Sequence, residues 1–397
     1  MLNLKPIIQE KLQQATALLN EQNIDCWITF VRETSAVHDP ALDMLLGFGL
    51  TWDSALILTR QGAKIAIAGR FDAPNIKDLE AYDEVIAYDQ GIAETLRTRI
   101  NLINPANVAL NYSLSDPGSD GLTFGMYARL TQILAGAPYT AHFASAEAIT
   151  RRLRERKTAT ELTRIRSAIA HTEQVYAELF AQPLRGMSEK QIHALAGEYA
   201  ARHDCDFSWE RVDNPIVNAG PHSSIGHSIP SDLTVQPGQL LHLDMGLRID
   251  GYSSDLQRVA YVRREGEEQA PDEVMRAWNA CWSALEAGRA ALKPGVVAWE
   301  VDAAARGELV RQGYPEYMHA FGHHVGRNAH DGGSVLGPRW ERYGDLPNKE
   351  VEAGNVFAIE LGTMVDEYGY VGIEENVLIT PDGAAYLSTP QRELVMI

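Results

Sequence analysis

Residues 240–262 read "LLHLDMGLRIDGYSSDLQRVAYV". Two apolar runs flank Asp250-Gly251, a pair that takes the positive φ angles of a two-residue hairpin turn at little cost. Centring the turn there sets Asp244 opposite Gln257, with Asp255 two residues earlier on the same strand as Gln257. Side chains two apart share a face, so Asp244 and Asp255 become diagonal neighbours. Both interrupt strongly apolar stretches. A buried carboxylate without a partner is costly, so these two should be protonated, paired with a cation or bound to metal.

A second strand pair, "GNVFAIELGTMVDEYGYVGIEENVLIT", occupies residues 354–380. Glu360 and Glu374 are equidistant from Glu367 at its centre and so stand directly opposite one another. Like charges in that position destabilise a sheet. Solvated strand residues would account for either pair alone; two such pairs in equivalent places argue against that reading. Four acidic groups on facing sheets need neutralising, and one or two divalent cations would do it. The missing nitrogen ligand lies between the hairpins, in "HAFGHHVGRNAHDGG" at 319–333, which carries His319, His323, His324 and His330. A dinuclear site built mostly from carboxylates takes few imidazoles, so most of the four should be structural.

The two hairpins belong to a coarse internal echo. Helices at about 159–180 and 189–203 precede the first, and helices at about 272–291 and 298–312 precede the second. Thr158 with Glu161, and Ser188 with Gln191, open helices as capping boxes. The echo implies two similar α+β halves facing one another with a site between them. Upstream, a helix over 6–22 leads into the buried strand "DCWITFV", and "SALILT" and "AKIAIAG" form a hairpin about Arg60-Gln61-Gly62. Strand-like and helical segments alternate to about residue 145, the pattern of a modest α/β domain. "LGFGLTW" lacks the spacing of a phosphate-binding loop. The expected division is an N-terminal α/β domain over 1–152 and a larger α+β domain over 153–397.

Composition narrows the partners. The chain has 397 residues, 35 Lys and Arg against 53 Asp and Glu, and a net charge of −18. Such a chain repels a phosphate backbone, so nucleic acid is excluded as a partner. Cys26, Cys205 and Cys281 are odd in number and far apart. They suggest buried thiols in a reducing compartment, and neither a disulfide framework nor a thiolate zinc site. The N-terminal segment is amphipathic, neither signal peptide nor membrane span, so the expected location is cytoplasmic.

These residues resemble the pita-bread metallopeptidases, the group of prolidase (Xaa-Pro dipeptidase), aminopeptidase P and methionine aminopeptidase. The family ligands come in the order Asp, Asp, His, Glu, Glu. Here Asp244 in "DMG" and Asp255 in "SSD" lie eleven residues apart, His323 stands in "GHHVG", and Glu360 and Glu374 stand in "IELG" and "GIEENVLIT". "GPHSSIGH" ends in His227 seventeen residues before Asp244, and His330 follows His323 by seven, both at family positions. The likeness spans essentially the whole chain and lies nearest the prolidase and aminopeptidase P branch, which carries an N-terminal domain of this size. It implies a pita-bread catalytic domain and two divalent ions, manganese first, with cobalt or zinc as alternatives. It further implies that Asp255 and Glu374 bridge the ions, Asp244 chelates one, and His323 with Glu360 holds the other. Glu360 would shuttle a proton, while His227 and His330 hold the substrate and stabilise the tetrahedral intermediate. The substrate would be a small peptide cleaved before proline, the assembly a homodimer.

Two positions depart from the family pattern. Gly372 stands where prolidases carry Arg two residues before the second glutamate, and Gln257 stands where Thr is usual. Loss of that Arg leaves open how a dipeptide's carboxylate is held; Arg327, Arg32 and Arg70 are candidates. Xaa-Pro dipeptidase is thus the first reading, aminopeptidase P on longer peptides the second and a carboxypeptidase the third. Creatinase shares the fold but works without metal, and non-catalytic relatives lose ligands; none is lost here.

Overall fold

The computed structural model describes residues 4–397, and the chain divides into two compact units between Thr160 and Glu161. In the first, helix Lys5–Glu21 buries Ile8, Leu12, Ala15 and Leu19, an i, i+4, i+7, i+11 stripe. It covers a six-stranded sheet of β1 (Cys26–Val31), β2 (Ser54–Thr59), β3 (Lys64–Gly69), β4 (Glu84–Tyr88), β5 (Val108–Leu110) and β6 (Phe143–Ser145), in the order β4-β3-β2-β1-β5-β6. The β2–β3 hairpin turns at Gly62, whose φ of 98° suits glycine.

The second unit carries the hairpins. Its short strands β7 (Asp206–Phe207), β10 (Leu247–Ile249) and β11 (Tyr252–Ser253) form a small sheet. Its main sheet contains β8 (Ile216–Ala219), β9 (Gln239–Met245), β12 (Leu256–Val262), β13 (Gly322–His324), β14 (Val356–Val365) and β15 (Gly369–Thr380), in the order β13-β14-β15-β12-β9-β8. The first hairpin turns at Asp250 and Gly251, with φ angles of 51° and 76°, so its register is the one the Asp-Gly pair implies.

The two hairpins are not on facing sheets. They join edge to edge in one sheet through β12 and β15, with Gln257 opposite Glu374. Joining them satisfies two strand edges that would otherwise present unpaired backbone groups. Helices Ala159–Phe180, Glu189–Arg202, Asp272–Ala291 and Ala298–Arg311 pack around this sheet. Ser188 caps the second of them in a capping box with Gln191. One core cluster unites Trp278, Leu285, Val301 and Ala305 of the later helices with Phe357, Ile359, Ile373 and Val377 of the second hairpin. None of the described helices is long and apolar enough to cross a membrane. Cys26 and Cys281 are buried and no disulfide joins the three cysteines.

Candidate active site

Register decides which side chains meet. Asp244 pairs with Gln257, Gln257 with Glu374, and Glu374 with Glu360, a row crossing four strands on one face of the sheet. Asp255 lies two residues before Gln257 and shares that face. Asn376 locks its backbone: the Asp255 N–H donates to Asn376 Oδ1 at 3.2 Å, and Asn376 Nδ2 donates to the Asp255 carbonyl at 2.7 Å. His323 comes from β13, where its Nε2 lies 3.7 Å from Glu374 Oε1 and 3.8 Å from Asp255 Oδ2.

Three overlapping groups have potential ligand atoms within 4.8 Å of one another: Asp244, Asp255 and Glu374; His323, Glu360 and Glu374; Asp255, His323 and His330. Asp244 Oδ1, Asp255 Oδ1 and Glu374 Oε2 are buried with no hydrogen-bond partner. Burial, reinforced by mutual repulsion, pushes the carboxyls of Asp244, Asp255 and Glu374 far above the usual range. Burial likewise raises Glu360 to about 7. Burial and the neighbouring His330 hold the His323 imidazole in its neutral form. Bare carboxylate oxygens beside a neutral imidazole are the donor set of a divalent cation, and the residues present fit one.

A cavity of about 630 Å³ opens over this row. His227 and His330 line it, their rings 6.2 Å apart, and the His330 ring lies 4.3 Å from that of His323. His319 also reaches the cavity, with its ring 5.5 Å from Tyr317. His324 is fully buried, its Nε2 2.9 Å from Ser334 Oγ and its ring tilted at 36° against that of Phe357, 4.0 Å away. Alternation along β13 separates it from its neighbour His323. Arg327 is not among the cavity residues; its guanidinium covers the Tyr252 ring at 5.4 Å. Arg70 pairs with Asp89, and Arg32 lines a separate hollow of the first unit.

Arg248 and His242 are among the polar residues of the cavity that the sequence reading did not single out. Arg248 is the one Arg or Lys among the residues lining it. His242 sits behind the row, its Nε2 2.9 Å from Gln257 Oε1. The signal for His242 was present, because it lies two residues before Asp244 on the same strand and so on its face, whereas Arg248 lies past the end of β9, on β10 of the small sheet.

The sequence of metallopeptidase family M24 matches residues 163–381. The chain belongs to this family, and its fold is the pita-bread fold with an additional N-terminal domain. It is 31% identical over 248 residues to the Xaa-Pro dipeptidase of Lactobacillus helveticus, covering 62% of this chain and 63% of that one. It is 27% identical over 281 residues to the uncharacterized peptidase YqhT of Bacillus subtilis, covering 70% and 73%. The match thus spans less than two thirds of the first relative's length. Among solved structures, the Xaa-Pro dipeptidase from Bacillus anthracis superposes with a TM-score of 0.75 over 98% of this chain and 100% of that chain, at 19% identity.

Proposed function

We propose that this chain is a Xaa-Pro dipeptidase that works with two divalent ions, manganese first among them. The observation that carries the reading is the row of buried, unpartnered carboxylate oxygens beside a neutral imidazole in an M24 chain. Asp244, Asp255, His323, Glu360 and Glu374 would hold the ions. Metal held there would polarise the scissile carbonyl and bring the pKa of a water down to about 7.

The chain's own groups supply the rest. Glu360, which burial raises to about 7 in the metal-free chain, would be the carboxyl that shuttles a proton towards the leaving nitrogen. Its Oε2 accepts from Gln257 Nε2 at 2.8 Å, which aims the carboxyl into the cavity. His227 and His330 stand beside the row as donors to the substrate and to the oxyanion of the tetrahedral stage. Arg248 suits the free carboxylate of a dipeptide: it has no ion-pair partner in the described structure, and a guanidinium grips a carboxylate in two parallel bonds. The apolar rings of Phe207 and Trp209 share the cavity with it and suit a proline ring. The relative named Xaa-Pro dipeptidase supports the same substrate class. A homodimer is proposed on family resemblance alone, and a cytoplasmic location on the amphipathic N-terminal sequence and the odd, scattered cysteines; sedimentation of the purified chain tests the dimer.

The deciding experiment reconstitutes the metal-stripped chain with Mn²⁺ and offers three substrates: Met-Pro, an X-Pro-Pro-Y peptide and an N-terminally blocked peptide. Cleavage of Met-Pro alone is expected. Preference for the tetrapeptide indicates aminopeptidase P, and cleavage of the blocked peptide overturns both readings in favour of a carboxypeptidase.

A further inference from the structure

The corner beside Gly372, where related prolidases carry arginine, is filled. A Cβ on residue 372 would lie 2.5 Å from Gln257 Oε1 and 2.6 Å from His242 Nε2. No side chain enters without displacing both. His242 is buried, with the Tyr370 ring edge-on at 5.1 Å. Its Nδ1 lies 2.8 Å from Asn218 Oδ1, and Asn218 Nδ2 donates at 2.7 Å to the carbonyl of Ser224, in the loop that leads to His227. On the other side, Gln257 bridges from His242 to Glu360.

We propose that His242 and Gln257 form one positioning pair for Glu360, replacing with neutral groups the guanidinium that relatives place in this corner. The physical need is plain. A glutamate side chain gives up much of its rotamer freedom when fixed, and Glu360 lines an open cavity. An N–H donated to a carboxylate is among the stronger hydrogen bonds. Gln257 can turn its nitrogen to Glu360 only while its oxygen has a partner of its own, and His242 occupies that place. A neutral imidazole has one N–H, and here it is the Nε2–H given to Gln257, so the network proper runs from His242 through Gln257 to Glu360. Neither His242 nor Gln257 touches substrate in this scheme; both act through Glu360. The proposal rests on the role given to Glu360 above.

The test compares Gln257→Leu, His242→Phe and the double variant with the wild type. It measures kcat and KM on Met-Pro, Mn²⁺ affinity of the metal-stripped chain by calorimetry, and thermal unfolding. Each single variant should lower kcat and Mn²⁺ affinity about 10- to 100-fold, the range for partners that orient metal ligands. KM should stay within about threefold, because the loss falls on the reacting geometry and not on binding. The double variant should be no worse than the worse single, the mark of two residues acting as one. Gly372→Ala retains every polar group and should reproduce the kcat loss by displacing the pair, which keeps the test open if a variant does not fold. Effects that multiply independently, or folded variants with unchanged kcat and Mn²⁺ affinity, overturn the proposal. A wild type that binds Mn²⁺ but cleaves no Xaa-Pro peptide sinks the substrate reading alone, since the affinity arm still reports on the pair.

Discussion

Glu374 and Glu375 are consecutive residues of one strand, both buried, and the two faces of the sheet treat them in opposite ways. On one face Glu375 accepts from Arg258 at 3.1 and 3.2 Å, from Ser388 Oγ at 2.6 Å and from the Gln391 N–H at 2.9 Å. On the other, Glu374 faces Glu360 and keeps an oxygen with no partner at all. A carboxylate with a structural task comes with its own guanidinium. A carboxylate facing the cavity is left for a cation that can be bound and removed.

Substitutions on the two faces should therefore differ in kind. The largest effect is expected for Glu374→Gln, which should lower kcat/KM on the best Xaa-Pro substrate by at least about 10³-fold, about 4 kcal/mol in the barrier. The same variant should be more stable than the wild type to urea in EDTA at neutral pH, because a carboxyl that burial holds far above its unfolded pKa costs stability there and an amide does not. A loss of stability there would erase the distinction between the faces. Arg258→Met should do the reverse. It strands Glu375 without its cation and should cost about 3–5 kcal/mol in urea unfolding, a deficit that Mn²⁺ does not repair.

Metal itself gives the next smaller effect. Mn²⁺ at a hundred times its Kd should raise the unfolding free energy of the wild type by about 2.7 kcal/mol for each ion bound. Glu374→Gln should lose most of that gain, while chelation should abolish hydrolysis; full activity after exhaustive chelation would break the mechanism. The smallest effect is expected at the cavity's cation. Arg248→Met should raise KM for Met-Pro about tenfold, the worth of one charge-assisted hydrogen bond. It should leave KM for the C-terminally amidated dipeptide unchanged, and equal effects on both would remove Arg248 from carboxylate binding.

Much of the site was legible because hairpins are local. Asp250-Gly251 and the centre at Glu367 set both registers, and period-two alternation then put Asp244, Asp255, Glu360 and Glu374 on definite faces. The joining of the hairpins was not legible. Nothing in an apolar strand pattern tells which neighbour its free edge will choose, and the β12–β15 pairing links segments more than a hundred residues apart in sequence. The occupants of the Gly372 corner were hidden for a related reason. A missing arginine is visible as a letter, whereas the ring that fills its space comes from β9, two strands away in the sheet. Arg248 was not legible because no motif marks it, while Arg327, beside the ligand histidine in sequence, covers Tyr252 and does not reach the cavity.

The join between the hairpins also bears on motion. Its register is carried by a single residue pair, Gln257 with Glu374, and beyond it the stitching passes to side chains: Asn376 to the Asp255 backbone, Arg258 to Glu375 and to the Glu374 carbonyl. A seam held by side chains opens more readily than a ladder of backbone bonds. In the metal-free chain, amide protons along this line should exchange with solvent sooner than those inside either hairpin. An ion gripped from both sides would act as a rivet, making the slow breathing of the sheet a direct gauge of whether the centre is filled.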